Sequence, residues 1–153
     1  MWKIKKLNDL TSLEFYQITK LLIDTFVVEQ TRIYHELDAN DLIADHVYTE
    51  DETTHEVLAY ARIFEEADHL TFGRVVTAEQ VRGTGLGRKL IEQVLRTCQE
   101  KWPDKPIVIE AQIQVADFYQ KFGFQKISAT FLFNGTPHVK MYYQHHTAQV
   151  INA

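Results

Sequence analysis

The stretch Val75-Val76-Thr77-Ala78-Glu79-Gln80-Val81-Arg82-Gly83-Thr84-Gly85-Leu86-Gly87-Arg88-Lys89-Leu90 decides the fold, because it reads as a strand, a glycine-rich turn and the start of a helix. Gly83, Gly85 and Gly87 carry no Cβ, so backbone N–H groups there can approach an anion closely. The free N–H groups and positive dipole end of the following helix attract the same anion. Two familiar glycine motifs do not fit. A nucleotide P-loop needs Gly-Lys-Ser/Thr, but Lys89 is followed by Leu90, and the dinucleotide fingerprint needs a small residue where Arg88 stands. What remains is Arg-x-x-Gly-x-Gly, filled by Arg82, Gly85 and Gly87.

Working outward, Thr11-Ser12-Leu13-Glu14 is a capping box that opens a helix from about Ser12 to Val28. Leu13, Ile18, Leu21, Leu22 and Thr25 or Phe26 fall near helical spacing and predict its buried face. The polar stretch from Thr31 to Asp45 is irregular, with Glu36, Asp38, Asp41 and Asp45 expected to be exposed or to line a cleft. Strands are expected near Trp2 to Leu7, Asp45 to Glu50, Val57 to Glu65 and His69 to Thr77. After the glycine loop, Leu86, Leu90, Ile91, Val94, Leu95 and Cys98 form the apolar stripe of a second helix. Ile107 to Ala111 reads as a strand buried on both faces, followed by a short helix from about Val115 to Phe122 that Gly123 caps. Strands from Phe124 to Phe133 and from His138 to Gln144 then flank the turn Asn134-Gly135.

With 153 residues, the chain suits one domain, and 45% hydrophobic with 24% charged residues is the composition of a folded globular protein. A net charge of −5 argues against nucleic acid as the partner and suits a cationic one. Cys98 is the lone cysteine, which excludes an internal disulfide and points to a reducing compartment; its place on the helix stripe makes it core. No signal peptide or membrane-spanning run is legible, so the expected location is cytoplasmic. Seven histidines, including the pair His145-His146, lack metal-ligand spacing, and no metal is expected.

The glycine pattern after Val75-Val76 resembles the acetyl-CoA signature of the GNAT N-acetyltransferase superfamily. Further landmarks agree: Ala111-Gln112, Phe118-Tyr119-Gln120-Lys121-Phe122-Gly123-Phe124, and, for the ElaA-like branch, Phe26 to Gln30, Tyr34, Glu36 to Asp38, Asp41, Phe131 and Asn134-Gly135 with His138. The resemblance covers about residues 5 to 143. It implies an α/β (α+β) GNAT-like fold, a mixed and mostly antiparallel sheet flanked by helices. It also implies direct acetyl transfer from acetyl-CoA to a primary amine on a small molecule or peptide.

The resemblance implies cosubstrate contacts from Val75, Val76 and Thr77 to the pantetheine arm, and from Arg82, Gly83, Thr84, Gly85, Leu86 and Gly87 to the pyrophosphate. Gln112 stands where many members have an asparagine touching that arm. Tyr119 matches the tyrosine that serves the departing thiolate; an unperturbed phenol, with a pKa near 10, is protonated at neutral pH. Glu110 and His138 are alternatives for the general base, His138 because an imidazole titrates near pH 6.5. Glu29, Tyr34, Glu36 and Asp38 are candidates to bind the amine. A non-catalytic acyl-CoA-binding module and a general nucleotide binder remain as alternatives, and an exposed strand edge or the last hairpin could pair in a homodimer.

Overall fold

The computed structural model describes residues 1–145; His146 lies outside them. The expected strands become β1 (Trp2–Lys5), β2 (Asp45–Glu50), β3 (Val57–Glu65), β4 (Leu70–Thr77), β5 (Ile107–Gln112), β6 (Gln125–Lys126), β7 (Phe131–Phe133) and β8 (Thr136–Tyr143). They form one sheet in the order β1-β2-β3-β4-β5-β8-β6, with β7 also paired to β8. Every described pairing is antiparallel except β4 with β5. Helices α1 (Ser12–Leu22), α2 (Leu86–Lys101) and α3 (Ala116–Gln120) flank it. The architecture is therefore the mixed, mostly antiparallel α+β arrangement expected.

Helix α1 starts as its sequence dictates. The Glu14 N–H donates to Thr11 Oγ1 at 3.0 Å, and the Thr11 N–H donates to Glu14 Oε1 at 2.9 Å. Glu14 also turns inward, where Lys3 and Lys5 each donate to it at 3.1 Å, tying α1 to β1. Burial pushes its pKa up, but the Thr11 N–H, Tyr48 and the two lysines outweigh that and hold it at about 2. Glu14 is therefore the buried residue at this turn, while Leu13, expected in the core, is 55% exposed. The helix also departs from its expected course after Leu22: Ile23–Glu29 is a π-helix. Four of its seven residues, Ile23, Thr25, Val27 and Val28, are β-branched and lower the preference for a regular α-helix there.

The sheet divides the core into two layers. On one side α2 and α3 cover Ala59, Ala61, Ile63, Phe72, Ile107, Ile109, Ala111 and Met141. On the other, α1 and the π-turn lay Ile18, Leu21, Leu22 and Phe26 over Tyr48, Tyr60 and Val76. Leu90, Ile91, Val94 and Cys98 of α2 are fully enclosed, and each such aliphatic side chain contributes about 1.5–3 kcal/mol by leaving water. That packing fixes the N-terminus of α2 at the end of β4.

Two strand expectations need correction. β5 is buried on one face only, since Ile107, Ile109 and Ala111 face α2 while Glu110 is exposed. The expected strand from Phe124 to Phe133 is broken between β6 and β7, where the Lys140 N–H donates to Ser128 Oγ at 2.9 Å and a side chain replaces the ladder acceptor. The turn to β8 is as read, with Asn134 at φ +50° and Gly135 at φ +77°, the left-handed pair a two-residue hairpin needs.

Candidate active site

The parallel pair at the centre of the sheet is joined at a single register point, Leu70 with Ile107. Both residues begin their strands, so β4 and β5 separate toward Val75–Thr77 and Ala111–Gln112. The Ala78 N–H donates to Leu58 O at 2.8 Å, so by strand alternation Val76 also turns its backbone to β3. Val75 and Thr77 then turn theirs to the opening, where Thr77 O already accepts from Arg82 Nε at 3.4 Å. The Val76 side chain is buried beneath α1, and Val75 packs on the α2 layer.

At the end of β4 the chain reverses through Arg82–Gly85 into α2. Gly83 and Gly85 sit at φ +81° and +88°, a left-handed backbone that suits glycine, and a Cβ added at either would meet nothing within 4 Å. Gly87 instead brings α2 close to β4, since a Cβ there would lie 3.7 Å from Thr77 Cγ2. Among the described residues the N–H groups of Gly83, Gly85, Leu86, Gly87 and Arg88 find no acceptor, and Gly85 supplies no side-chain cap. No acidic residue stands in the first turn of α2, where Arg88 and Lys89 add positive charge to the positive dipole end. The usual helix-start preference for acids is absent here, which leaves the charge of this end complementary to an anion. Thr84 spends its hydroxyl on Val81 O at 2.5 Å.

Arg82 does not point at these donors. Its guanidinium donates twice to Glu29, at 2.6 and 2.9 Å, linking the end of the π-turn to the loop. Arg82 holds the Glu29 carboxyl below its ordinary range. Two expected site residues, one from each side of the cleft, thus meet each other.

Tyr119 lies in the α2 layer, 6% exposed, with its ring against Phe72, Phe118 and Phe124 at centroid distances of 6.0, 5.4 and 5.8 Å. Burial raises its pKa, so the phenol stays protonated through the neutral range. His138 is on the other face. It pairs across strands with Gln112, whose side chain alternates away from Ala111 and the α2 layer. Its Nδ1–H donates to Thr136 O at 2.7 Å, which leaves Nε2 with the free lone pair in the neutral ring. The rings of Phe131 and Phe133 stand 6.2 and 5.3 Å away. Gln112 accepts from the Gln114 amide, and the exposed Glu110 faces Lys140 in register without any hydrogen bond to its side chain.

The segment before β2 is held by charges that the sequence reading missed. Arg62 donates to both oxygens of Asp38 at 2.7 and 3.0 Å and to Asp41 at 2.9 Å. Arg74 joins the same two carboxylates. Behind them His46 Nε2–H donates to Asp41 O at 3.0 Å, and its Nδ1 accepts from the Tyr60 hydroxyl at 2.7 Å. Asp41 and Asp45, expected to be exposed or in a cleft, are 7% and 1% exposed, because Arg62 and Arg74 enclose the first and Lys6 and Lys101 the second. Asp38 is likewise bound to two arginines. Glu36 differs: Tyr34 donates to its Oε2 at 2.5 Å, while Oε1 is enclosed without a donor. Burial first, and then the Glu36 carboxylate, raise the Tyr34 pKa. An arginine inside the otherwise uncharged run Ala59-Tyr60-Ala61-Arg62-Ile63 was the one signal that could have revealed this network.

The sheet is opened between its two parallel strands, and a cradle of N–H groups without acceptors among the described residues lies beside the opening. The chain belongs to the acetyltransferase (GNAT) domain family, whose profile matches residues 16–145, and it is an acyltransferase of that type. Its relatives put it on the ElaA-like branch. It is 35% identical to Protein ElaA of Escherichia coli strain K12 over 143 residues, 92% of this chain and 94% of that one. The crystal structure of Escherichia coli ElaA superposes with a TM-score of 0.88 at 32% identity, covering 94% of this chain and 99% of that chain. An acyl-CoA N-acyltransferase from Pseudomonas aeruginosa gives 0.87 at 32% identity, covering 94% and 98%. An aminoglycoside 6'-N-acetyltransferase complexed with coenzyme A shares the fold at 12% identity, with a TM-score of 0.69 over 93% of this chain and 95% of that one.

Proposed function

We propose that this protein transfers an acetyl group from acetyl-CoA directly to a primary amine. The observation that carries the reading is the set of unpaired N–H groups of Gly83, Gly85, Leu86, Gly87 and Arg88 lying where β4 ends beside its separated partner. Those donors fit a pyrophosphate, and the backbone of Val75 and Thr77 fits a pantetheine amide as a further strand would. Acetyl-CoA supplies an acyl group activated as a thioester.

The chain's own groups divide the proton work between the two faces of the sheet. Tyr119, neutral and buried on the α2 side, donates a hydrogen bond to the departing sulfur. His138, on the α1 side with Nε2 free, takes the proton that the attacking amine must lose, directly or through water. Exposed Glu110, with no group to orient it, is the weaker candidate for this step. Glu36, the acid of this segment that no lysine or arginine side chain pairs with among the described residues, attracts the ammonium form of the acceptor by its charge, while Tyr34 holds one of its oxygens. Asp38 serves the fold of this segment through its arginines, and Glu29 serves through Arg82. The single buried Cys98 agrees with a cytoplasmic setting.

Thiol release from acetyl-CoA, followed with spermidine, glucosamine and Nα-blocked lysine as acceptors, tests the reading. Turnover of any of them with 1:1 formation of CoA and acetylamide supports it. Tight acetyl-CoA binding without turnover of any primary amine would favour a non-catalytic acyl-CoA-binding module.

A further inference from the structure

We propose that Arg74 is a positioning residue that sets the amine-facing segment against the strand that holds the acyl donor. The inference rests on the acetyl-transfer reading above. Between Tyr60 paired with Val76 and Arg62 paired with Gly73, β4 contains one residue more than β3, a β-bulge. Arg74 occupies it at φ +53°, and among the non-glycine residues with positive φ it alone lies inside a strand. Glycine is the residue that such a backbone favours, and Gly73 stands next door with no such angle. An arginine in that place points to a side chain with a task.

The task is visible in its contacts. The Arg74 side chain is 10% exposed, and its two terminal nitrogens reach four acceptors. Nη1 donates to Glu36 O and to Asp41 Oδ2 at 3.3 Å; Nη2 donates to His35 O at 3.3 Å and to Asp38 Oδ2 at 3.2 Å. Tyr34 lies with its ring 5.8 Å from the guanidinium. Arg62 already neutralises Asp38 and Asp41, but it does not reach the backbone of His35 and Glu36. Arg74 ties the backbone of His35 and Glu36 to β4, one residue before Val75. It therefore fixes how far the acceptor stands from the acyl group. A planar fork with donors on both terminal nitrogens can hold such a set, and a lysine ammonium cannot.

Hydrogen-exchange mass spectrometry on the wild type, Arg74→Gly and Arg74→Lys, with acetyl-CoA affinities by calorimetry, tests the proposal. Glycine fits the left-handed backbone, so the bulge persists while the clamp is lost. In Arg74→Gly the amides of residues 34–38 should exchange at least about ten-fold faster while acetyl-CoA affinity stays within about two-fold. With whichever amine the wild type turns over, KM should rise about ten-fold and kcat should change less. Arg74→Lys, which keeps the charge and hence the fold, should fall between the two. Unchanged exchange in both variants, or an unmoved amine KM, would overturn the proposal. Acetyl-CoA affinity falling in step with the exchange would overturn it too, because the bulge itself would then be the functional element. Wild-type protein that binds no acetyl-CoA sinks the acetyl-transfer reading and this proposal with it; binding by the wild type with unmoved exchange in the variants sinks the proposal alone.

Discussion

Replacing Gly85 with alanine separates what the loop costs the fold from what it does for the ligand. Gly85 sits at φ +88°, so an L-residue there is strained by about 1–2 kcal/mol. No atom lies within 4 Å of the added Cβ, so no packing penalty joins that strain. For a domain of this size about 2–4 °C of melting temperature is lost per kcal/mol, which sets the expected drop at about 2–8 °C. Binding should suffer more. The methyl group enters the space from which a phosphate must approach the N–H groups of Gly85 to Arg88, and a hydrogen bond to a charged group contributes about 1.5–3 kcal/mol. Losing one such bond weakens acetyl-CoA by about 10- to 150-fold. Calorimetric titration gives the affinity and thermal unfolding the stability. Gly73→Ala is the control: its backbone is not left-handed and its Cβ would also meet nothing, so both quantities should stay near wild type. A folded Gly85→Ala protein that binds acetyl-CoA as tightly as the wild type would refute the cradle.

Tyr119→Phe keeps the ring among Phe72, Phe118 and Phe124 and removes only the hydroxyl, so turnover should fall by about 10²-fold or more with melting temperature and acetyl-CoA affinity almost unchanged. Equal turnover would remove Tyr119 from the chemistry. His138→Asn keeps a donor for Thr136 O but discards Nε2; steady-state rates should drop about 10²-fold and recover partly at higher pH, where the amine arrives deprotonated. A rate unaffected at neutral pH excludes His138 as base. Glu14 gives a stability signature: its folded pKa is depressed from 4.5 to about 2, so its stabilisation is complete above 4.5 and lost as pH falls toward 2. The difference corresponds to about 3 kcal/mol, and urea unfolding of Glu14→Gln should be weaker than wild type at pH 7 but converge with it near pH 2. Parallel pH profiles would contradict that reading.

What was legible in the sequence was local. The Thr11–Glu14 box, the Asn134-Gly135 turn and the glycines before α2 each state their conformation within a few residues, and the strand and helix order followed from periodicity. What was hidden depends on partners far along the chain. Asp38 and Asp41 look like free carboxylates until β3 and β4 bring Arg62 and Arg74 onto them, across separations of 21 to 36 residues. Glu29 looked available for an amine until the π-turn brought it to Arg82, and no propensity announces a π-turn. The bulge at Arg74 was masked by chemistry, since Gly73 beside it is the residue that usually marks such a place. Within the candidate site, the left-handed glycines of the loop and the buried ring of Tyr119 were readable because both follow from residue type. The free nitrogen of His138 and the unsatisfied oxygen of Glu36 were not, because they depend on which hydrogen bonds their neighbours leave unmade.

Titrating acetyl-CoA into the wild-type protein by calorimetry, with ATP as the control ligand, addresses the cosubstrate assignment most directly. Saturable binding of acetyl-CoA at one site per chain, with ATP bound far more weakly, is the predicted result, because the proposal has acetyl-CoA use both the loop and the edge of β4 that faces the opening, whereas ATP lacks a pantetheine arm for that edge. Equal affinity for the two ligands, or no binding of acetyl-CoA by folded protein, would contradict it.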